Sequence, residues 1–288
     1  MFCYYLNIAD LSIEIETPVP IVFRNCLQPF RKKKGIRPDL VYRISSGQVQ
    51  NTDTIVSKGE YSVEKKEDRY VRVKKMFQNG QVQETFLFEE EPGIYNLYIP
   101  REWLAGDRLF ENENILDFLA LENGFLMNQA FLLHASLVAW RGKGIVFTAP
   151  SGTGKSTQAD LWHQYESAEI YNGDRTVIRK KGKNYYGYGS PYAGSSGIYR
   201  DQTVPVQGII VLDQAPVEHI KQLKGNAAFV PLYRETLMNA WNGKYMEAMT
   251  DILKDVVTNI PIYHLECRPD REAVELLKKT LKVTEKGN

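Results

Sequence analysis

The stretch TAPSGTGKSTQADLW, residues 148–162, constrains this chain more than any other. With the preceding residues it reads as a strand GIVFTA, a loop PSGTGKS and a helix STQADLW. In that context the consecutive backbone N–H groups of Ser151, Gly152, Thr153, Gly154, Lys155, Ser156 and Thr157 turn inward, where they cradle phosphate oxygens. The helix adds its unpaired N-terminal donors and the positive end of its dipole. Gly152 and Gly154 let the backbone turn and approach a ligand without a Cβ clash. Lys155 supplies charge toward the β- and γ-phosphates, and Ser156 offers a hydroxyl to Mg²⁺. The usual pattern, G-x-x-x-x-G-K-[ST], has glycine where this chain has Ala149. Alanine suits a strand end with negative φ, so the departure removes no phosphate ligand. A glycine-rich turn capped by serine would explain Gly-Lys-Ser alone. The full string with its flanks favours a nucleotide site.

The 288 residues suffice for one large domain or two small ones with a sizeable core. A net charge of +1 gives no global attraction to nucleic acid or to an anionic membrane. No apolar run approaches the roughly 20 residues that span a bilayer. The N-terminus MFCYYLNIADLSIEIE lacks the basic start and apolar middle of a secretory signal. Cys3, Cys26 and Cys267 form neither a metal spacing nor a disulfide framework. These features predict a cytoplasmic protein with no nucleic-acid or membrane partner.

The N-terminal part reads as strands. YYLNIADLSIEIE, DLVYRIS, YSVEKKEDRYVRVKKMF, QNGQVQETFLFEE and GIYNLYI alternate near period two, and Asn79-Gly80 suits a hairpin turn. The texture changes near Gly106. The spacing predicts one mostly buried helix over Asn112 to Leu133, then two strands, LHASLVAW and GIVFTA, joined by residues 141–144. A helix to about Tyr165 follows the loop. AEIYNGDRTVIRKKGKNYYGYG reads as two strands around a basic turn, and VQGIIVLDQ as a strand buried on both faces. GKYMEAMTDILKDVVTN and DREAVELLKKTLK are helical, with the strand IPIYHLEC between them. The basic run Arg31-Lys32-Lys33-Lys34 and the acidic run Glu89-Glu90-Glu91 read as solvated segments; a basic arm that holds an acidic peptide is the sharper alternative.

Phosphoryl transfer needs a metal-holding acid and a group that positions the acceptor. Asp213 closes the apolar strand GIIVLD, and Asp174 lies in YNGDRTV, closer to the loop. Spacing does not choose between them, and each also suits a turn. A lone histidine on a strand is usually structural; His134 shares a face with Ser136, Val138 and Trp140. His163, His219 and His264 have no partner pattern.

The segment LHASLVAWRGKGIVFTAPSGTGKSTQADLW…YNGDRTVI resembles the HPr kinase/phosphorylase-like group, related in fold to ATP-dependent phosphoenolpyruvate carboxykinase. YGSPYAGSSG resembles a stretch of the HPr-kinase-related enzymes of peptide-modification clusters, and VPVQGIIVLDQ and YHLECRPDREAVELL resemble their C-terminal portion. The resemblance covers roughly residues 112–288. It implies a mixed α/β (α+β) fold with a P-loop-containing HPr kinase/PEP carboxykinase-like core at 111–288. A β-rich N-terminal domain, suited to an acceptor or peptide, fills 1–110. It implies ATP and Mg²⁺ as cofactors, Lys155, Asp174 and His134 as catalytic residues, and Ser156 and Asp174 at the metal. Ser190, Tyr192, Ser195 and Arg200 would form a substrate-facing loop. HPr kinases carry two adjacent aspartates where this chain has Asp174-Arg175, which puts the reverse phosphorylase reaction in doubt. The expected activity is a serine kinase whose partner is a protein or ribosomally made peptide. A kinase of a small hydroxy compound such as free serine, or a non-catalytic nucleotide-dependent peptide-binding module, is the alternative. Carboxykinase chemistry is disfavoured, because the chain is short and shows no clear second lysine–histidine metal set. The group also assembles as oligomers, which leaves a homo-oligomer open.

Overall fold

In a computed structural model the chain is described over residues 1–23, 25–35, 37–78, 80–105, 115–192 and 194–285. It is mixed α/β and divides into two units, Met1–Gly124 and Phe125–Asn288. The expected boundary between 110 and 111, the change of texture at Gly106 and the turn residue Asn79 lie outside the described residues.

The first unit is a nine-stranded mixed sheet. Its strands are β1 (Phe2–Ile8), β2 (Leu11–Thr17), β3 (Arg31–Lys32), β4 (Leu40–Ser46), β5 (Asp53–Lys58), β6 (Tyr61–Lys66), β7 (Arg69–Gln78), β8 (Gln81–Glu91) and β9 (Ile94–Ile99). They lie in the order β3-β1-β2-β4-β9-β8-β7-β6-β5. β4 runs parallel to both β2 and β9, and every other pair is antiparallel. The period-two pattern does what it predicts: in β2, Leu11, Ile13 and Ile15 are buried while Ser12 and Glu14 face outward. Gln78 pairs with Gln81, so the β7–β8 connection has the two-residue length of a tight hairpin.

The single helix expected over Asn112 to Leu133 is corrected. Residues 112–114 lie outside the described residues; beyond them come α2 (Leu116–Leu119) and α3 (Glu122–Met127), after the short α1 (Arg101–Leu104). Ala120 ends α2 in a left-handed conformation, with φ 51° and ψ 58°. The run after Gln129 is strand: Phe131, Leu132 and Leu133 pair with Ile178, Val177 and Thr176. A short apolar run buried on both faces has no periodicity to distinguish strand from helix.

The second unit holds β10 (Ala130–Trp140), β11 (Lys143–Thr148), α4 (Lys155–Glu166), β12 (Glu169–Asn172), β13 (Arg175–Lys181), β14 (Asn184–Tyr188) and β15 (Thr203–Gln214). Then come β16 (His219–Leu223), α5 (Asn226–Glu235), α6 (Gly243–Asn259), β17 (Ile262–Cys267) and α7 (Arg271–Glu285). β11, β15 and β17 are parallel to one another in sequence, and the rest of the sheet is antiparallel. β10 carries β11 on one edge. On the other it pairs with β13 through Ala130–His134 and with β12 through Leu137–Ala139. The hand-over between those two partners falls at the Gly173-Asp174 turn.

Helices cover both faces of this sheet. On one side Val138, Trp140, Ile145, Phe147, Ile210 and Leu212 pack with Ala159 and Trp162 of α4 and Ala273, Val274 and Leu277 of α7. On the other, Leu133, Ala135, Leu137, Val146 and Ile209 pack with Leu232 of α5 and Tyr245, Met249, Leu253 and Val256 of α6. Trp162 is fully buried, its ring edge-on to Trp140 at 5.2 Å between centroids, and it anchors α4 on β10 and β11. Trp162→Ala is expected to cost about 3–5 kcal/mol, as large-to-Ala core changes do. Urea unfolding followed by far-UV circular dichroism measures it; a loss below about 1 kcal/mol, the scale of a surface change, contradicts the anchoring role.

Candidate functional site

The loop 149–154 leaves the end of β11 and enters α4, beside the end of the parallel strand β15. This is where open α/β sheets place ligands. Gly152 and Gly154 have φ of +81° and +119°, conformations that side-chain-bearing residues rarely adopt. Ala149 is 1% exposed, and its methyl joins the core beneath α4. That packing explains the one departure from the common loop pattern. Gln214, at the end of β15, donates from Nε2 to the carbonyls of Gly152 (3.4 Å) and Thr153 (3.3 Å) and braces the loop from the side.

The N-terminus of α4 has no side-chain cap and no acid in its first turn. Its first amides therefore face outward with the dipole's positive end uncompensated. Ser151, Gly152, Ser156 and Thr157 are exposed, and Thr153 and Gly154 half-buried. Lys155 is 6% exposed and folds back over the loop, its Nζ donating to the carbonyls of Ala149 (2.9 Å) and Pro150 (3.3 Å). Burial pushes its ammonium below the ordinary lysine value, against the upward pull of the Glu235 and Asp174 carboxylates.

Those two acids flank His134. Nδ1 lies 2.8 Å from Glu235 Oε2 and Nε2 lies 3.7 Å from Asp174 Oδ1. A carboxylate accepts only, so Nδ1 carries the proton in its bond to Glu235, and Nε2 is turned toward Asp174. Asp174 also lies 3.5 Å from Arg175 Nε. All three side chains of the acid–histidine–acid set are partly buried, at 14% exposure for Glu235, 24% for His134 and 29% for Asp174. Lys155, His134 and Asp174, expected from the sequence, thus come together. Glu235, at the end of α5, is a residue that sequence reading did not single out.

The backbone around Asp174 is tied down from several directions. Ala135 N–H donates to its carbonyl at 2.8 Å, and Asn172 Oδ1 accepts from the amides of Asp174 (2.9 Å) and Arg175 (2.7 Å). Asn172 Nδ2 in turn donates to the carbonyls of Ser190 (3.0 Å) and Tyr192 (3.3 Å). Ser190 is fully buried, and its hydroxyl donates to the Arg175 carbonyl. The expectation that Ser190 faces a substrate is therefore corrected: it fastens the loop to the sheet. Tyr192 lies under the Arg175 guanidinium, 5.5 Å from Cζ to ring centroid. Ser195 sits in the 3-10 turn Gly194–Ser196, and its side chain is outside the described set. A Cβ on Gly194 would fall 2.5 Å from Asp174 Cγ, so this turn lies directly against the acid. Arg200, expected in the substrate-facing loop, pairs at the surface with Glu169, 2.9 Å between Nη1 and Oε2.

Asp213 is differently placed. It is 62% exposed and 2.7 Å from His264 Nε2. His219 lies 3.2 Å from Glu266, and His163 lies 2.8 Å from the carbonyl of Ala168. Each histidine that lacked a partner pattern in the sequence has found one in space.

No helix among the described residues is long and apolar enough to cross a membrane. No curated protein matches the chain. Among solved structures it is similar to the Hpr(Ser) kinase/phosphatase from Coxiella burnetii, at 13% identity and a TM-score of 0.31, over 54% of this chain and 90% of that one. Residues 125–272, just over half of the chain, match the family described as SynChlorMet cassette protein ScmC. The match begins where the second structural unit begins and takes in β10, the glycine loop, Asp174 and Glu235. The chain belongs to the ScmC family of SynChlorMet cassette proteins.

Proposed function

We propose that this protein is a cytoplasmic Mg²⁺-ATP-dependent phosphotransferase that acts on a serine hydroxyl of a protein or peptide. The observation that carries the reading is the convergence of Lys155, Asp174, His134 and Glu235 at an uncapped helix N-terminus behind a glycine loop. The residues fit a nucleotide and its metal. The α4 N-terminus has no side-chain cap, the Lys155 ammonium donates to two loop carbonyls that phosphate oxygens can replace, and Ser156 is exposed. The amides of residues 151–157 and Lys155 would hold the phosphates, and Ser156 and Asp174 the Mg²⁺. When bound, Mg²⁺-ATP supplies the transferable phosphoryl group and a diphosphate leaving group.

The chain's own groups do the rest by alignment and charge. The Asp174 carboxylate orients the serine hydroxyl and accepts its proton as the oxygen attacks. His134 presents Nε2 toward Asp174, and Glu235 fixes the orientation of that ring through Nδ1. Lys155 offsets negative charge that develops on the transferred group. Asp213 is exposed and pairs with His264, whereas Asp174 faces His134 and acts on Lys155, which favours Asp174 for the acidic role.

The direct test is transfer of label from ATP to serine peptides with Mg²⁺. Lys155→Ala and Asp174→Asn should each lower kcat by about 10²-fold or more, the usual cost of removing one charge-stabilising or proton-transferring group. Asp213→Asn should stay within a few-fold of the parent. Label on free serine alone redirects the reading to a small-molecule kinase, and nucleotide binding with no acceptor labelled makes the protein a binding module. For Glu235→Gln, kcat is expected to fall while KM for ATP holds, since the residue acts through His134; an equal rise in KM would place it in nucleotide binding instead.

The lowered lysine pKa has a further consequence. Lys155 loses its charge at a lower pH than an ordinary lysine, so the alkaline limb of kcat/KM for ATP should fall early. Lys155→Arg, which keeps its proton, should move that limb upward even at reduced activity. Identical limbs in the two proteins would separate Lys155 from the titration.

A further inference from the structure

The basic run in the first unit is part of a cleft. Tyr5 to Asn7 of β1 and Ser12 to Glu14 of β2 form its floor, and Lys32, Lys33, Lys34, Gly35, Arg37 and Pro38 form its wall, around a cavity of about 220 Å³. Strand alternation explains the floor: Leu6 and Ile13 point into the core, so Tyr5, Asn7, Ser12 and Glu14 present polar groups outward. The wall follows from the brevity of β3. Its two residues pair with Leu6 and Tyr5, and the chain then leaves the sheet edge and crosses to β4. The crossing is pinned at its far end, where Ser12 N–H donates to Asp39 Oδ2 at 2.8 Å and Asp39 N–H to the Ser12 carbonyl at 2.9 Å.

Charge distinguishes this cleft from a solvated surface. Four cations line it against one carboxylate, Glu14, which already accepts a hydrogen bond from the Tyr5 hydroxyl at 3.2 Å. Lys33, Lys34 and Arg37 are exposed and make no ion pair or hydrogen bond among the described residues. Elsewhere on the sheet Arg43 pairs with Glu16 and Glu90, Lys65 with Asp68 and Lys75 with Glu84; what sets the cleft apart is that four cations line one cavity. Like charges gathered in excess of their counter-charges repel one another, and an anionic ligand relieves that repulsion. The floor adds Asn7 and Ser12, neutral groups that can bond carboxylates or backbone.

We infer that this cleft binds an acidic segment of the acceptor protein or peptide, so that the first unit selects the substrate that the second unit phosphorylates. The inference rests on the peptide-acceptor reading above. Carboxylates of the segment would pair with Lys33, Lys34 and Arg37, and the contribution would be to capture, with the chemical step unaffected.

The test measures binding apart from transfer. Fluorescein-labelled decapeptides that are Asp/Glu-rich, neutral and Lys-rich are titrated with the full chain at physiological salt, without ATP, and read by anisotropy. The acidic peptide should bind best, and its affinity should drop as salt rises. Lys33→Glu/Lys34→Glu/Arg37→Glu should weaken it by about tenfold or more, because attraction becomes repulsion at three positions. The control reversal Lys58→Glu/Lys66→Glu/Arg69→Glu, at exposed residues of β5, β6 and β7 on the opposite edge of the same sheet, should leave affinity within about twofold. For transfer to a serine peptide with an acidic flank, the triple variant should raise KM and leave kcat and KM for ATP unchanged. Equal binding of acidic and neutral peptides, or equal loss in the two reversal variants, overturns the inference. Cleft-dependent binding with no transfer would sustain the acidic-peptide site but overturn the kinase reading, and with it the substrate-selecting role.

Discussion

A strand edge offers each residue one hydrogen-bonding neighbour, and β10 needs two partners along the same edge. It meets that demand by passing from β13 to β12 between His134 and Leu137. The Gly173-Asp174 turn occupies the hand-over, and the Ala135 amide clamps it through the Asp174 carbonyl. On its opposite edge the same strand carries β11, which delivers the glycine loop; Thr148 Oγ1 donates to the His134 carbonyl across that junction at 3.0 Å. One strand therefore sets the spacing between loop, histidine and acid. Any shift of β10 in register would move all three, and burial on both faces resists such a shift.

Local features of the site were legible in the sequence; distant ones were not. The loop announces itself because strand, glycines and helix are contiguous, and the β10–β11 hairpin because its turn is short. Asp174 is separated from Asp213 by the family resemblance of its motif, since spacing from the loop does not choose between them. Glu235 is 101 residues from its partner His134, and nothing in local pattern links them. The helix that delivers it is also disguised: α5 contains Pro231, a residue that argues against a helix interior. Ser190 shows the opposite error. A polar, glycine-rich segment suggests a surface loop, yet the serine is buried because Arg175 and Asn172 need partners there.

The two units carry different kinds of information. The family match and the second unit both start at Phe125, so the nine-stranded sheet lies outside the matched residues. Its strands were readable from alternation, because one face packs and the other does not. Its cleft was not, since a run of lysines looks the same whether it lies along a flat edge or walls a depression. Only the shortness of β3 and the crossing to β4 decide which.

If the loop binds nucleotide as proposed, the bonds from Lys155 to its own loop carbonyls make capture an exchange. A ligand that reaches the loop must displace Ala149 and Pro150 from the ammonium, so the gain is the difference between two sets of contacts. A singly charged anion offers little more than a carbonyl already gives. A polyphosphate offers several charged oxygens at once, to the lysine and to the helix amides together. On that reading the loop would be biased by valence, and would discriminate among anions before any part of a base or sugar is recognised.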